Sequence, residues 1–420
     1  MDLIILVGFL LLIKWFTEWV LKTLNERKIV KARSWAPDEI NRFFTQEKWL
    51  ECSNYNLSKS KFSKVEDFLA LMIGLFSLFI FLPWFLVNYP LSSHLSSWEV
   101  AFAISIFMFV LTVPNFLLDW FYQFRVEQKY GFNKQTFRFW CFDKIKESFV
   151  SFIFMFLVFA VLSYVFRNLI LFSPQFWWVI ASCVILAVQL VLMIIWPIVI
   201  MPLFNSFTPL KDESLLKKIQ KLSEKTGFKT HRIEVIDGSK RSGHSNAFFT
   251  GFGNFRRIIL FDTLLEQMNE NEIESVVAHE IGHYRLGHIP KRIAASFLMG
   301  LIAFYFIDLF YRNNLIVEQF ELPQSLSGSI ECVLLFFILF GGVVTYWFQP
   351  LGNMISRKNE YEADEYASSV VGGSTHLRSA LKHLCEENLS YPLPHPLLSW
   401  FHHSHPSVLE REVKLLGSDS

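Results

Sequence analysis

The residues with the clearest chemistry form the segment His279-Glu280-Ile281-Gly282-His283. Histidines four positions apart lie on one face of an α-helix, so His279 and His283 can bind one zinc ion. Glu280 then lies beside the open coordination position, where its carboxylate can act as general base for the attacking water. Because a chain of this composition contains such a pattern by chance roughly 2% of the time, the prediction needs a third ligand. A surface helix with hydrogen-bonded histidines is the alternative.

The third ligand of a catalytic zinc site is usually a histidine or a carboxylate. His288 follows His279 by nine residues, not the ten of the pattern H-E-x-x-H-x-x-G-x-x-H, which disfavours an all-histidine site. Glu360 and Asp364 are four residues apart and share one face of a second predicted helix. Alone, their acidic segment would more often be a solvated helix face. Together with the first motif, it predicts Glu360 as a ligand of one zinc ion per chain and Asp364 as a hydrogen-bond partner of a ligand histidine.

The composition excludes several classes of protein. Of the 420 residues, 52% are hydrophobic and 18% are charged, and the formal net charge is +1. We therefore expect neither a disordered chain nor a nucleic-acid binder. The five cysteines form no C-x-x-C pair, so we expect them to be reduced. Seven stretches have the roughly 20 apolar residues that a membrane crossing requires. They are approximately 2–21, 67–89, 99–120, 148–172, 176–204, 294–311 and 330–351.

The lysines and arginines predict the orientation of these crossings. All but three lie in alternate connecting segments, and the segments between those contain none. The basic segments are 22–66, 121–147, 205–293 and 352–420, and the segments without basic residues are 90–98, 173–175 and 313–329. Basic residues stay on the cytoplasmic side, so we expect the N-terminus outside and the active site facing the cytoplasm. The membrane would be the inner membrane of a bacterium or the endoplasmic reticulum.

The crossings divide the chain into four parts. We predict five membrane helices at 1–204, a cytoplasm-facing α/β zinc protease domain at 205–293, the sixth and seventh membrane helices at 294–351, and a C-terminal segment with the third ligand at 352–420. The fold is then an α-helical integral membrane protein with seven transmembrane helices and a small α/β metalloprotease insert.

Hydrophobic periodicity and turn residues predict the elements of the polar parts. We expect a helix near 212–226 and strands at 232–236 and 256–261. Asn271 is the expected cap of the H-E-x-x-H helix, which should end near Gly287 before Pro290. The segment after the seventh crossing should open with another helix, at about 353–370, before an end rich in proline and histidine.

Five segments in the polar parts, in this order, carry a further pattern: Ser242-Gly243-His244-Ser245-Asn246-Ala247-Phe248, Arg257-Ile258-Ile259-Leu260-Phe261-Asp262-Thr263-Leu264-Leu265, His279-Glu280-Ile281-Gly282-His283, Ser356-Arg357-Lys358-Asn359-Glu360-Tyr361-Glu362-Ala363-Asp364 and Ser404-His405-Pro406-Ser407-Val408-Leu409-Glu410-Arg411. Together they resemble the type I CAAX prenyl protease family, which are polytopic membrane zinc metalloproteases. The resemblance covers nearly the whole chain. It implies that the helices enclose a large water-filled chamber and that the substrate is a peptide ending in a prenylated cysteine plus three residues.

The same resemblance implies roles for several residues. Glu360 is the implied third zinc ligand, and Asp364 lies behind the site or donates a proton. His405 and Arg411 are implied to contact the substrate carbonyl and hold its surroundings, with Arg411 among the substrate-binding residues.

Peptide hydrolysis also requires a donor aimed at the developing oxyanion, which a histidine outside the metal ligands can supply. The resemblance assigns this role to His405, whereas spacing alone does not distinguish it from His402 and His403. Asn246 and Ala247 lie at the start of a candidate edge strand, where an extended peptide can bind by strand addition. A simple turn is an equal alternative for Asn246.

Two other functions stay open from the sequence. A membrane-protein quality-control protease could use the same zinc site, although seven crossings favour the prenyl protease. A zinc-binding transporter or channel is the alternative of another class, but its ligands would be expected near the bilayer midplane. We therefore predict a membrane zinc endopeptidase whose partners are membrane lipid and a peptide or protein substrate with a prenylated C-terminus, and not nucleic acid.

Overall fold

Seven long helices dominate the computed structural model, which describes residues 2–34, 40, 44–89, 91, 95–228, 232–251 and 256–418. Within these residues, each of the seven contains a window apolar enough to cross a membrane. In chain order they are Asp2–Arg33, Gln46–Asn88, Ser97–Tyr130, Phe137–Phe172, Trp177–Phe204, His288–Arg312 and Ile330–Val371. The prediction of a seven-helix membrane protein is thus confirmed.

The surfaces of these helices are suited to lipid. Leu117, Leu171 and Phe172 are 73%, 80% and 83% exposed. Many other large apolar side chains of the membrane helices are also exposed, which would be unfavourable in water and is expected in a bilayer.

Polar side chains cap the starts of two membrane helices. The side chains of Thr45 and Ser96 each accept a hydrogen bond from a backbone N–H of the first turn.

The polar part between the fifth and sixth membrane helices contains a four-stranded sheet. Its strands are β1 (Phe207–Pro209), β2 (Arg232–Ile236), β3 (Ala247–Thr250) and β4 (Arg257–Phe261). The spatial order is β1-β2-β4-β3, with β2 and β4 parallel and the other two pairs antiparallel. Strand β3 therefore lies at an edge of the sheet.

Shorter helices lie between and after the membrane helices. They are Glu213–Thr226, Asp262–Gln267 and Glu270–Arg285 before the sixth membrane helix, Leu315–Gln319 after it, and Thr375–Glu387, Pro396–His402 and Val408–Ser418 at the C-terminus.

The helix Glu270–Arg285, which carries the H-E-x-x-H segment, differs in detail from the prediction. Its cap is Asn269 rather than Asn271, because Asn269 and Glu272 form a reciprocal capping box. The chain turns at Gly287, which has a left-handed φ of +69° that favours glycine. Pro290 does not end a helix, because it lies in the first turn of the sixth membrane helix, where no backbone N–H is needed.

The polar segments before the sixth and after the seventh membrane helix share one hydrophobic core. Leu260 and Val277 from the first segment are buried in one cluster with Leu377, Leu381 and Leu415 from the second. The C-terminal helix Thr375–Glu387 packs against the helix Glu270–Arg285, and burial of these side chains holds the two segments together.

A large cavity lies between the membrane helices and this shared core. Its volume is about 1230 Å³, and its lining includes Lys14 and Glu18 from the first membrane helix and Asp67 from the second. Lys22, also in the lining, forms an ion pair with Asp67. Charged side chains on membrane helices are expected to face such a cavity rather than lipid.

Candidate active site

The H-E-x-x-H helix directs both histidines to one point. His279 and His283 are one helical turn apart, and their Nε2 atoms are 3.2 Å from each other. His279 is 7% exposed, because the helix packs against the seventh membrane helix.

The contact between these two helices depends on Gly282. A Cβ atom at this position would lie 3.2 Å from both the Cα atom and the carbonyl oxygen of Ala363. The absence of a side chain at Gly282 thus lets the two backbones approach closely. This approach brings Glu360, one turn before Asp364 on the seventh membrane helix, to the two histidines.

The three predicted ligands come together. One ligand atom each from His279, His283 and Glu360 lie within 4.8 Å of one another. Glu360 Oε2 is 3.4 Å from His279 Nε2, and Glu360 Oε1 is 3.3 Å from His283 Nε2. Glu360 Oε2 is also buried without a hydrogen-bond partner among the described residues. Two imidazole nitrogens and one carboxylate, whose buried Oε2 has no hydrogen-bond partner among the described residues, fit a metal ion.

Asp364 and Arg411 lie behind the ligands. Asp364 Oδ1 is 2.8 Å from His279 Nδ1, which leaves Nε2 of the imidazole for the metal. Arg411 donates two hydrogen bonds to the Asp364 carboxylate, from Nε at 2.8 Å and from Nη2. Asp364 is 1% exposed and Arg411 is 8% exposed, so the pair fixes the orientation of His279 from inside the protein.

A second supporting pair holds His283 and was not predicted. His288 Nδ1 is 2.9 Å from His283 Nδ1, and His288 Nε2 is 3.1 Å from Glu362 Oε2. His288 is almost completely buried. The sequence spacing disfavoured His288 as a ligand, but only the fold shows that it contacts His283, one of the predicted ligands.

The glutamate of the motif lines the cavity in front of the ligands. This cavity has a volume of about 630 Å³, and Glu280 is half-buried in its wall. Burial raises the pKa of Glu280 above its ordinary value. A carboxylate with a raised pKa is better matched to proton transfer near neutral pH.

Of the three neighbouring histidines in the tail, His405 lies at the ligands. Its Nε2 is 3.3 Å from Glu360 Oε1, and its side chain is 64% exposed toward the cavity region. His402 instead contacts Glu18 on the first membrane helix, with Nε2 3.1 Å from Oε1. His403 lines the large cavity and not the smaller one.

Asn246 and Ala247 line the same smaller cavity at the start of β3. The carbonyl of Asn246 accepts a hydrogen bond from the N–H of Phe261, so the chain is already in the sheet at this residue. Asn246 also lines the large cavity. The start of the edge strand therefore borders both cavities.

Residues to which the sequence analysis assigned no role hold the start of this strand. His244 Nε2 is 3.1 Å from Glu127 Oε2 on the third membrane helix, and its ring stacks on Phe132. Asn388 accepts a hydrogen bond from the N–H of Ser245 and donates one to its carbonyl. These partners are far apart in sequence, so no local pattern could have identified them.

Comparison with known proteins agrees with this geometry. Residues 26–206 match a family described as CAAX prenyl protease N-terminal, five membrane helices. Residues 209–418, half of the chain, match Peptidase family M48. The chain belongs to peptidase family M48. It is therefore a metal-dependent peptidase with a multi-pass membrane part, and it acts on a peptide or protein substrate.

Several relatives are similar over most of their length. CAAX prenyl protease 1 homolog of Arabidopsis thaliana is 33% identical, over 98% of this chain and 97% of that protein. CAAX prenyl protease 1 of Saccharomyces cerevisiae is 37% identical, over 72% of this chain and 69% of that protein. The crystal structure of S. mikatae Ste24p superposes with a TM-score of 0.87 at 30% identity and covers 99% of both chains.

Proposed function

We propose that this protein hydrolyses the peptide bond after a prenylated C-terminal cysteine, with one zinc ion bound by His279, His283 and Glu360. The observation that carries the proposal is the convergence of these three side chains, with one buried Glu360 oxygen that has no hydrogen-bond partner in the described part of the chain. The names of the similar CAAX prenyl proteases support the substrate class.

When bound, zinc polarises the scissile carbonyl and makes water more acidic. Glu280 lines the cavity beside the ligands, and it takes the proton from the attacking water and delivers it to the leaving amine. His405 lies close to Glu360 and is exposed, so its Nε2–H can donate to the oxyanion that forms on the substrate carbonyl.

Asp364 and Arg411 support these steps without contact to the scissile bond. Their mutual hydrogen bonds and their burial favour the orientation of His279 over the transfer of a proton by Asp364. Asn246 and Ala247 offer the edge of the sheet, where an extended substrate can add as a further strand.

The basic connecting segments support a cytoplasmic active site in the endoplasmic reticulum or in a bacterial inner membrane. A prenylated peptide partitions into that membrane with about 0.8 kcal/mol for each buried CH₂ group. The enzyme would thus meet its substrate at a raised local concentration.

The purified protein should cut a peptide that ends in a farnesylated cysteine plus three residues, immediately after the cysteine. A zinc chelator should abolish the reaction, and added zinc should restore it. The competing function is quality control of membrane proteins. The same preparation should therefore also be offered an unfolded membrane protein. If it breaks that protein into fragments and does not cut after the farnesylated cysteine, our proposal is wrong and quality control is the function.

A further inference from the structure

The cavity in front of the metal ligands contains two arginines, and only one of them is engaged. Arg411 is buried and paired with Asp364. Arg292 lines the cavity, is exposed, and makes neither an ion pair nor a hydrogen bond with the residues that the structure describes. A guanidinium presents several donors in a fixed plane that matches a carboxylate. Arg292 is thus available for an anionic group of a bound ligand.

The position of Arg292 relative to the ligands can be bounded from the fold. It lies one turn after His288 on the sixth membrane helix, and residues four apart share a helix face. His288 Nδ1 is itself 2.9 Å from His283 Nδ1. The distance from the metal site to Arg292 is the sum of one helical turn and the width of the imidazole rings, which is on the order of 10 Å. Three extended residues cover about the same length.

The other charges of the site balance one another, so Arg292 is the main positive charge that can attract an anion. Glu280 and Glu360 line the cavity, and Asp364 lies behind them. A divalent metal ion and Arg411 would balance these three carboxylates. An anionic group of a ligand would therefore interact mainly with Arg292.

We propose that Arg292 binds the C-terminal carboxylate of the substrate, three residues after the bond that is cut. This inference rests on the proposed function and extends it, because it assigns the recognition of the free chain end. Ile289, Val276 and Leu381 also line the cavity and offer apolar contacts for the side chains of the leaving tripeptide. The distance from the metal ligands to Arg292 thus sets how many residues are removed.

The test compares two farnesylated peptides of one sequence, ending in a carboxylate or in a carboxamide, with the full-length purified protein. Wild-type protein should cut the acid with a kcat/KM about 10- to 100-fold above that of the amide, the range expected for a hydrogen bond between charged groups. Arg292→Gln should lower kcat/KM for the acid to the level of the amide. Arg292→Lys should retain part of the preference, because it keeps the charge.

Lys291→Gln is the matched control, since it removes the neighbouring charge and should leave the preference unchanged. Metal content and the rate on the amide show whether Arg292→Gln is folded. Equal losses on both peptides would overturn the inference, because Arg292 would then contact a lipid phosphate or support the fold. Equal cleavage of both peptides by wild-type protein would also overturn it and leave the proposed function intact. Cleavage of neither peptide would instead contradict the proposed function.

Discussion

At the scale of single residues, metal binding and proton transfer fall on different side chains. Glu280 lines the cavity but does not belong to the group of three converging ligand atoms. Glu280→Gln should therefore retain about one zinc ion per chain and lose about 10²- to 10⁴-fold in kcat. Glu360→Ala should lose both zinc and activity. Metal analysis beside peptide assays measures this, and full zinc occupancy in Glu360→Ala would remove that residue from the ligands.

The buried contact of His288 with a ligand histidine gives a second prediction. His288→Ala should weaken zinc binding about 10- to 100-fold, because His283 would lose the partner that orients its ring. Competition with a chelator of known affinity measures the change. Glu365→Gln is the control, since Glu365 is exposed on the helix that carries Glu362. An unchanged zinc affinity in His288→Ala would show that the histidine serves only packing.

At the scale of elements, the close approach of two helices determines whether the ligands can meet. In Gly282→Ala, the new Cβ would lie 3.2 Å from the backbone of Ala363 and push the helices apart. This strain costs about 1–3 kcal/mol, while the better helix propensity of alanine returns about 1 kcal/mol. We expect zinc affinity to fall, and the free energy of unfolding to fall by the difference of these two terms, about 0–2 kcal/mol. Gly300 also lies inside a helix but has open space around its Cβ, so Gly300→Ala should gain the helix propensity of about 1 kcal/mol and leave zinc affinity unchanged. Equal zinc affinity in both variants would contradict the prediction.

The elements also show what the sequence can and cannot predict. Local patterns were sufficient for the helix that carries His279, the strand at 232–236 and the pairing of Glu360 with Asp364 on one face. The cap was assigned to Asn271 instead of Asn269 because both are asparagines near the helix start, and only the hydrogen bonds distinguish them.

Contacts between distant segments were beyond prediction. The pairs of His288 with Glu362 and of His244 with Glu127 connect residues on different helices or loops. Hydrophobic periodicity does not predict such a contact, because each partner alone looks like an ordinary polar residue in the sequence. The shared core of the two polar segments was missed for the same reason.

At the scale of the whole molecule, the orientation in the membrane can be tested with single cysteines. Cys141 is half-buried at the start of the fourth membrane helix, on the basic side, whereas Cys52 is fully buried and unsuitable as a reporter. A membrane-impermeant maleimide should label Cys141 only after cells are permeabilised.

The matched control is Ser327→Cys in a background without other cysteines. Ser327 is exposed in the segment between the sixth and seventh membrane helices, which has no basic residues, and its thiol should react in intact cells. The reverse pattern of labelling would place the active site on the outer side.

The arrangement of the ligands along the chain has a consequence for biosynthesis. His279 and His283 precede the sixth membrane helix, and Glu360 lies on the extension of the seventh. A nascent chain therefore carries an incomplete metal site until both of these helices have left the ribosome and paired in the bilayer. We therefore expect proteolytic activity to begin only after membrane insertion is finished, so that an unfinished copy does not digest proteins during its own synthesis.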